Sequence, residues 1–354
     1  MAGALDGLRV LDLTRVLAGP LCTMTLGDMG AEVVKVEPPG GDETRGWGPP
    51  SLGGEAAYYL GVNRNKRGIV LDLATEEGRG TLAALMREAD VIVENYKAGT
   101  LERWGLGQDW MRREAPRAVH CSITGYGREG PKSHLPGYDF ILQAETGLMS
   151  ITGPVEGPPT KHGVAIVDIA TGLYATIAIL GALQARERTG RGQTVSVSLY
   201  RTGIALLANV ASNVLASGQP AGRYGNGHPN IVPYRTYPAA DGEIALAVGN
   251  DAQYRRFAAV AGHPEWAEDP RLSTNAERVR HRDLCDSLAA EAVAKRPRDW
   301  WIGRLRAEGV PCGSVNDVAT ALADAQALGL VQAIAHPTAG LVRLLAAPFA
   351  MSDT

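Results

Sequence analysis

One aspartate stands out as a group able to do covalent chemistry. Asp168 interrupts the apolar run VAIVDIATGLYA, where the sequence predicts the start of a long helix. The helix macrodipole favours the ionised form of a first-turn carboxylate. With a reference pKa of about 3.9, such a group is already a nucleophile at neutral pH and needs no neighbouring base. The same position also suits an N-terminal cap, and residue type alone leaves both roles open. Around it, polar residues recur where predicted strands meet loops. Arg15 follows the first strand, Asn63-Arg64-Asn65-Lys66-Arg67 precedes the third, Glu94-Asn95-Tyr96-Lys97 closes the fourth, and Arg103 lies just beyond. Basic runs commonly form solvated faces, but on the loops of one sheet they suit a phosphorylated ligand.

Other chemistries lack their signatures. Glu37 closes the second predicted strand as in a dinucleotide-binding unit, yet the turn DLTRVLAGP has no GxGxxG glycines to let backbone approach a pyrophosphate. No P-loop, GxSxG elbow or HExxH pair is present. The four cysteines, Cys22, Cys121, Cys285 and Cys312, are far apart and form no CxxC pair, so neither a disulfide framework nor a metal site is expected.

These residues need a scaffold, and the hydrophobic pattern predicts one. Leu8–Leu13, Glu32–Glu37, Gly68–Leu73, Val91–Asn95 and Ala118–Thr124 read as strands, with helices over Gly19–Met29 and Thr75–Ala89 between them. Strands alternating with helices point to an α/β fold, a Rossmann-like large domain with a parallel sheet covered on both faces. Val167 to about Arg188 should be a core helix stopped by Gly190, followed by a strand at Thr194–Leu199 and a helix over Thr202–Ser217. The stretch GQPAGRYGNGHPNIVP, residues 218–233, is the expected hinge into a smaller α+β domain. That domain should hold a hairpin turning at Asp241–Gly242 and helices around Asp251–Ala261, Asn275–Ala294 and Pro297–Glu308. Pro311–Val315 and Gly340–Pro348 would lead back to the first domain. The expected division is therefore 1–217 with 325–354, and 218–324.

With 354 residues, 45% hydrophobic and 21% charged, the chain has the size of two folded domains. A net charge of -3 offers no global field for nucleic acid or an anionic membrane. The longest apolar stretch, Val164 to Leu183, is interrupted by Asp168 and small residues and reads as a buried helix rather than a membrane span. The opening MAGALDGLRVLDL enters a strand without a leader-like pattern, which gives a cytoplasmic expectation.

Taken together, the motifs resemble the class III (CaiB/BaiF-type) CoA-transferases. The resemblance is carried by DLTRVLAGPLCTMTLGDMGAEVVKVE, TRGWGPP, NRNKRGIVLDL, ADVIVENYKAGTLERWGLG, CSITGYGREGP, PGYD and VDIATGLYA, continuing through TGRGQTVSVSL, GNGHPNIVPY and GVPCGSVND. It implies an acyl-CoA and a small carboxylic acid as substrates, no tightly bound cofactor, and a homodimer of interlocked ring-shaped subunits. By motif matching, Asp168 would attack the donor thioester. Val16, Leu17 and Ala18 would lie near the CoA thiol, and Leu71, Asp72, Leu73, Asn95, Tyr96, Lys97 and Arg103 would border the nucleotide and pantetheine. Pro136, Gly137, Tyr138 and Asp139 would edge the active site, and Gly225 and Gly227 would belong to a glycine-containing loop beside it. Some related enzymes carry glutamine where this chain has Leu17 and arginine where it has Pro38; the resemblance therefore leaves open whether a side chain acts near the thioester at the first position and loses an adenine contact at the second.

The alternative within the resemblance is an α-methylacyl-CoA racemase, which moves a proton between histidine and aspartate. Racemases have GHD where this chain reads Gly137-Tyr138-Asp139, and tyrosine does not readily replace imidazole near neutral pH. His162 or His228 would have to substitute. The motifs most resemble enzymes using succinyl-CoA and dicarboxylates such as glutarate, and Arg45, Arg64 and Arg235 are the candidates for a second substrate carboxylate. Members of the family continue past the segment matched by APFAMSDT, so the resemblance implies either a longer chain or a different closure of the first domain.

Overall fold

Alternation along the first strand sets the architecture. In β1 (Arg9–Leu13) Val10 faces one side of the sheet and Leu11 and Leu13 the other, as the two-residue strand period requires. The structure, a computed structural model, describes residues 2–354. It divides into two units, the first comprising residues through Met149, Lys161–Ala208 and Ala325–Thr354, the second Ser150–Thr160 and Asn209–Asp324. The boundary thus falls at Ala208 rather than after residue 217, and a short segment before Asp168 joins the second unit.

In the first unit, β1 is followed by α1 (Ala18–Asp28), β2 (Glu32–Glu37), β3 (Lys66–Val70), α2 (Glu76–Glu88), β4 (Val91–Glu94), β5 (Val119–Thr124), α3 (Asp139–Glu145), α4 (Ile166–Thr189), β6 (Thr194–Ser198) and α5 (Leu199–Ala205). The six strands form one parallel sheet in the order β3-β2-β1-β4-β5-β6. Strand order reverses between β1 and β4, where Val10 lies opposite both Val33 and Val91. One face of the sheet packs Cys22 and Leu26 of α1 and Ala175, Ile179 and Leu183 of α4, while the other packs Leu82 and Met86 of α2. A hairpin of β10 (Val331–His336) and β11 (Gly340–Leu345) closes the unit and buries Val342 against Tyr59 and Leu60.

The second unit pairs β7 (Tyr234–Ala239) with β8 (Gly242–Ala247), and β8 with β9 (Cys312–Ser314), against the helices Asp251–Val260, Arg282–Val293 and Arg298–Ala307. The 311–315 segment therefore completes this small sheet instead of returning to the first unit. Two expected helices are interrupted. The first breaks before Ala208, whose φ is +43, and the second at His281, between Asn275–Arg280 and Arg282–Val293. The third strand ends at Val70 rather than Leu73 because Asp72 starts a turn, its Oδ1 accepting from the Ala74 amide and its carbonyl from Thr75.

The length and composition of α4 would allow it to cross a membrane, contrary to the sequence reading of this stretch, yet its inner face is part of the sheet core. Its outer flank leaves Leu173, Tyr174 and Ile177 exposed. Close packing of α4 on α1 depends on Gly172, where a Cβ would lie 2.6 Å from the Ala18 carbonyl oxygen. Gly172→Ala is expected to lower stability by about 1–3 kcal/mol, read from the denaturant midpoint of the first unit. It should also lower activity, because Ala18 lines the cleft described next.

Candidate active site

In a doubly wound sheet, the loops leaving adjacent strands in opposite directions open a crevice at the carboxyl edge. Here the crevice lies between β1 and β4. It is lined by Arg15, Val16, Leu17 and Ala18 after β1, Asn95, Tyr96 and Lys97 after β4, Thr124 at the end of β5 and Gly125 after it, the Pro136–Tyr138 loop, and Asp168. Ten of the residues singled out from the sequence thus meet in one cleft: Val16, Leu17, Ala18, Asn95, Tyr96, Lys97, Pro136, Gly137, Tyr138 and Asp168. Lys97 and Arg15 lie at its exposed rim, with Arg15 Nη1 donating to Glu43 Oε1 (3.2 Å), and basic side chains at a rim suit phosphate groups.

Asp168 is the third residue of α4 and does not cap it. The cap comes from Asp139, at the start of α3, whose Oδ1 accepts from the Val167 amide (2.8 Å) and the Asp168 amide (3.3 Å). Gln143 secures that carboxylate by donating from Nε2 to Asp139 Oδ2 (2.6 Å), while its Oε1 accepts from the His162 amide (2.8 Å). Two carboxylates are therefore held close together at one helix start. Burial, and then the Asp139 charge, push the Asp168 pKa up to about 7. This corrects the expectation of a fully ionised aspartate, since at neutral pH the group is divided between its acid and its ionised form.

Beneath the loop after β1 lies a buried charge network. Asp12 accepts from the Thr14 amide (2.9 Å), Thr14 Oγ1 (2.5 Å), Thr23 Oγ1 (2.7 Å) and Lys66 Nζ (3.0 Å). Lys35 Nζ donates to the Thr14 carbonyl (2.7 Å) and to Asp42 Oδ2 (3.0 Å). Burial opposes the charge on Asp12, but Lys66, Lys35 and the threonine hydroxyls outweigh it and hold the carboxyl well below its usual range. Burial holds Lys66 down to about 8 against the attraction of Asp12. None of this was legible as a site from the NRNKRG run.

The other candidates lie outside this cleft. Leu71 and Leu73 pack beside the core under α2, with Asp72 in the turn between them, and Arg103 donates to Thr100 Oγ1 (2.8 Å). Arg45 is already engaged by Glu37 through Nε (2.7 Å) and Nη2 (3.0 Å) and by Glu55 through Nη1 (2.7 Å), with its guanidinium 3.9 Å from the Tyr59 ring centroid. Glu37, the residue that invited a dinucleotide reading, is thereby a structural acceptor for Arg45, Tyr59 and the Asp42 amide. Arg64 is locked in a two-pronged pair with Asp28 and is almost fully buried. Arg235 pairs with Asp286 in the second unit (3.3 Å), where Gly225, at φ +59, and Gly227 border separate clefts. Among the described residues no three His, Cys, Asp or Glu side chains are grouped to hold a metal.

Sequence reasoning missed Gln143 and Tyr58. Tyr58 stacks edge-on with Trp47 at 5.3 Å between ring centroids, and burial together with the charges of Asp168 and Asp139 pushes its phenol up to about 12. Its only trace in the sequence is the aromatic pair Tyr58-Tyr59, and residue type does not say which of the two turns toward the carboxylates.

Comparison with known proteins places this cleft in a family. The sequence profile of CoA-transferase family III matches residues 5–354. The succinyl-CoA:glutarate CoA-transferase of Mus musculus is 42% identical over 341 residues, covering 96% of this chain and 78% of the mouse protein. The succinate–glutarate CoA-transferase of Agrobacterium fabrum is 44% identical over 360 residues, covering 99% and 90%. Among solved structures, a CAIB/BAIF family protein from Brucella suis superposes with a TM-score of 0.85 at 43% identity, covering all of this chain and 94% of that one. The match spans both units and every segment of the cleft, so the chain belongs to CoA-transferase family III and is a CoA-transferase.

Proposed function

We propose that the enzyme moves CoA from a dicarboxylyl-CoA such as succinyl-CoA to a second dicarboxylate such as glutarate, with Asp168 as the nucleophile. The observation that carries this reading is the Asp168 carboxylate lining the switch-point cleft beside basic loops, in a chain 42–44% identical to relatives named for those substrates. Asp168 attacks the donor carbonyl, the C–S bond breaks, and an aspartyl–acyl anhydride forms as CoA thiolate leaves. The thiolate then attacks the aspartyl carbonyl, which releases the donor carboxylate and leaves an aspartyl-CoA thioester. An acceptor carboxylate expels the thiolate to form a second anhydride. Thiolate attack on the acceptor carbonyl yields the new acyl-CoA and regenerates Asp168. Each step exchanges one anion for another, so the cycle needs no net proton, and a carboxylate made more basic by burial is a stronger nucleophile than an exposed one.

The exposed apolar flank of α4, with Leu173, Tyr174 and Ile177 joined by Ile204 of α5, supports a homodimer in which a second copy covers this face. Incubation with succinyl-CoA and no acceptor is expected to leave CoA covalently on Asp168, read by intact mass and peptide mapping, and glutarate should then discharge it as glutaryl-CoA. Turnover with an unchanged protein mass would overturn the mechanism. Lack of glutaryl-CoA with transfer to other acids would overturn the substrate.

A further inference from the structure

Val16 is a β-branched residue held at φ +71, in the left-handed region that such side chains avoid. Strain of this kind persists only where its surroundings fix it, and here the fixing is explicit. On the amino side of Val16, all four backbone polar groups of Thr14 and Arg15 are gripped by side chains. Asp12 takes the Thr14 amide (2.9 Å) and Lys35 the Thr14 carbonyl (2.7 Å). The amide of Asn95 takes both groups of Arg15, with Oδ1 accepting from its N–H (3.0 Å) and Nδ2 donating to its carbonyl (2.8 Å). On the carboxyl side the Leu17 carbonyl is committed to the first turn of α1 by the Leu21 amide (2.8 Å). Asn95 is itself aimed by its neighbours, because the buried Glu94 carboxylate holds the Tyr96 amide (2.8 Å).

We propose that Asn95 is a positioning residue, whose amide clamps Arg15 so that the strained Val16–Leu17 backbone stays against the reacting centre, rather than a contact to CoA. Both ends of its side chain are engaged by Arg15, one N–H donating and one oxygen lone pair accepting, and what they restrain is a stretch of chain that lines the cleft together with Asp168. The inference rests on Asp168 being the reacting group of this cleft. Releasing the clamp lets Val16 relax toward an ordinary conformation, so most molecules leave the productive geometry, while Lys97 on the rim is not held by the clamp and keeps its place.

In Asn95→Ala, kcat is expected to fall about 10- to 100-fold, with KM for succinyl-CoA changed less than about threefold. The acid limb of the pH profile should not move, since Asn95 touches neither Asp168 nor Asp139. Adding Val16→Gly to Asn95→Ala should recover at least about fivefold in kcat, because glycine holds a positive φ without help. A large rise in KM with kcat retained would make Asn95 a CoA contact. A loss of kcat that Val16→Gly does not recover would show that it does not act through Val16. If Asn95→Ala fails to fold, the isosteric Asn95→Asp, which keeps the Arg15 N–H partner but faces the Arg15 carbonyl with an oxygen, is read by the same split and the same rescue. Trapping the CoA adduct on the unaltered enzyme separates the two ideas: its absence defeats the Asp168 reading, whereas its presence without the kinetic split defeats only the clamp.

Discussion

Replacing Asp168 by alanine is expected to lower kcat by about 10,000-fold or more, as loss of a covalent nucleophile does elsewhere, and to end formation of the CoA adduct. The protein should nevertheless fold, because α4 is capped by Asp139 and not by the residue removed. Stability should move the other way. The Asp168 pKa is about 7 in the folded protein against 3.8 as the reference, so between these values the fold retains a proton that the unfolded chain has lost. Stability from this group is therefore full at low pH, falls as pH rises through that window, and is at its lowest above 7. Asp168→Asn should melt higher than the unaltered enzyme at pH 8, with a smaller difference at pH 5. Activity follows the opposite course, since the ionised form reacts: kcat/KM should rise with pH through an acid limb near 7. Asp139→Asn keeps an oxygen for the Val167 and Asp168 amides but removes the charge, so it should shift that limb to lower pH. A pH-independent profile, or activity retained in Asp168→Ala, would defeat this account.

The second large effect is on stability. Asp12→Ala is expected to destabilise the first unit by about 3–5 kcal/mol, the usual cost of breaking a buried ion pair by removing one partner. Lys66, almost fully buried, would keep only the Pro20 carbonyl and Asn63 Oδ1 as acceptors, while the Thr14 hydroxyl and amide lose theirs and the Thr23 hydroxyl falls back on the Gly19 and Pro20 carbonyls. The double variant Asp12→Leu, Lys66→Met should regain much of the loss, because two buried charges vanish together. Urea titration of the three variants checks both statements. Equal destabilisation in the single and double variants would show that the hydrogen bonds to Thr14 and Thr23, not charge, dominate.

The parallel sheet was readable because strand and helix periods differ and alternate in Leu8–Thr124, and ligand-binding loops follow once the strand order is inferred. Asp168 was readable as a charge inside an apolar run. Its acidity was not, because burial, the larger cause, and then the charge of Asp139, distant in sequence, arise only when α3 is packed beside α4. The arginines misled for the same reason. Arg45 and Arg64 sit in loops that look free, but Glu37 and Asp28 reach them through tertiary contacts with no sequence period to announce them. Val16 offered no signal either, since left-handed backbone is normally marked by glycine or asparagine.

The division of the chain has a consequence for the order of events during synthesis. Every strand of the parallel sheet, and every residue of the cleft, lies before Leu206, ahead of most of the second unit. The emerging chain can therefore assemble the cleft between β1 and β4 while that unit is still being made. The returning segment Ala325–Thr354 of the first unit arrives after it, and its hairpin at Val331–Leu345 brings Val342 onto Tyr59 and Leu60. Because loop-closure entropy grows only logarithmically with the length spanned, placing a whole unit before that last contact costs little.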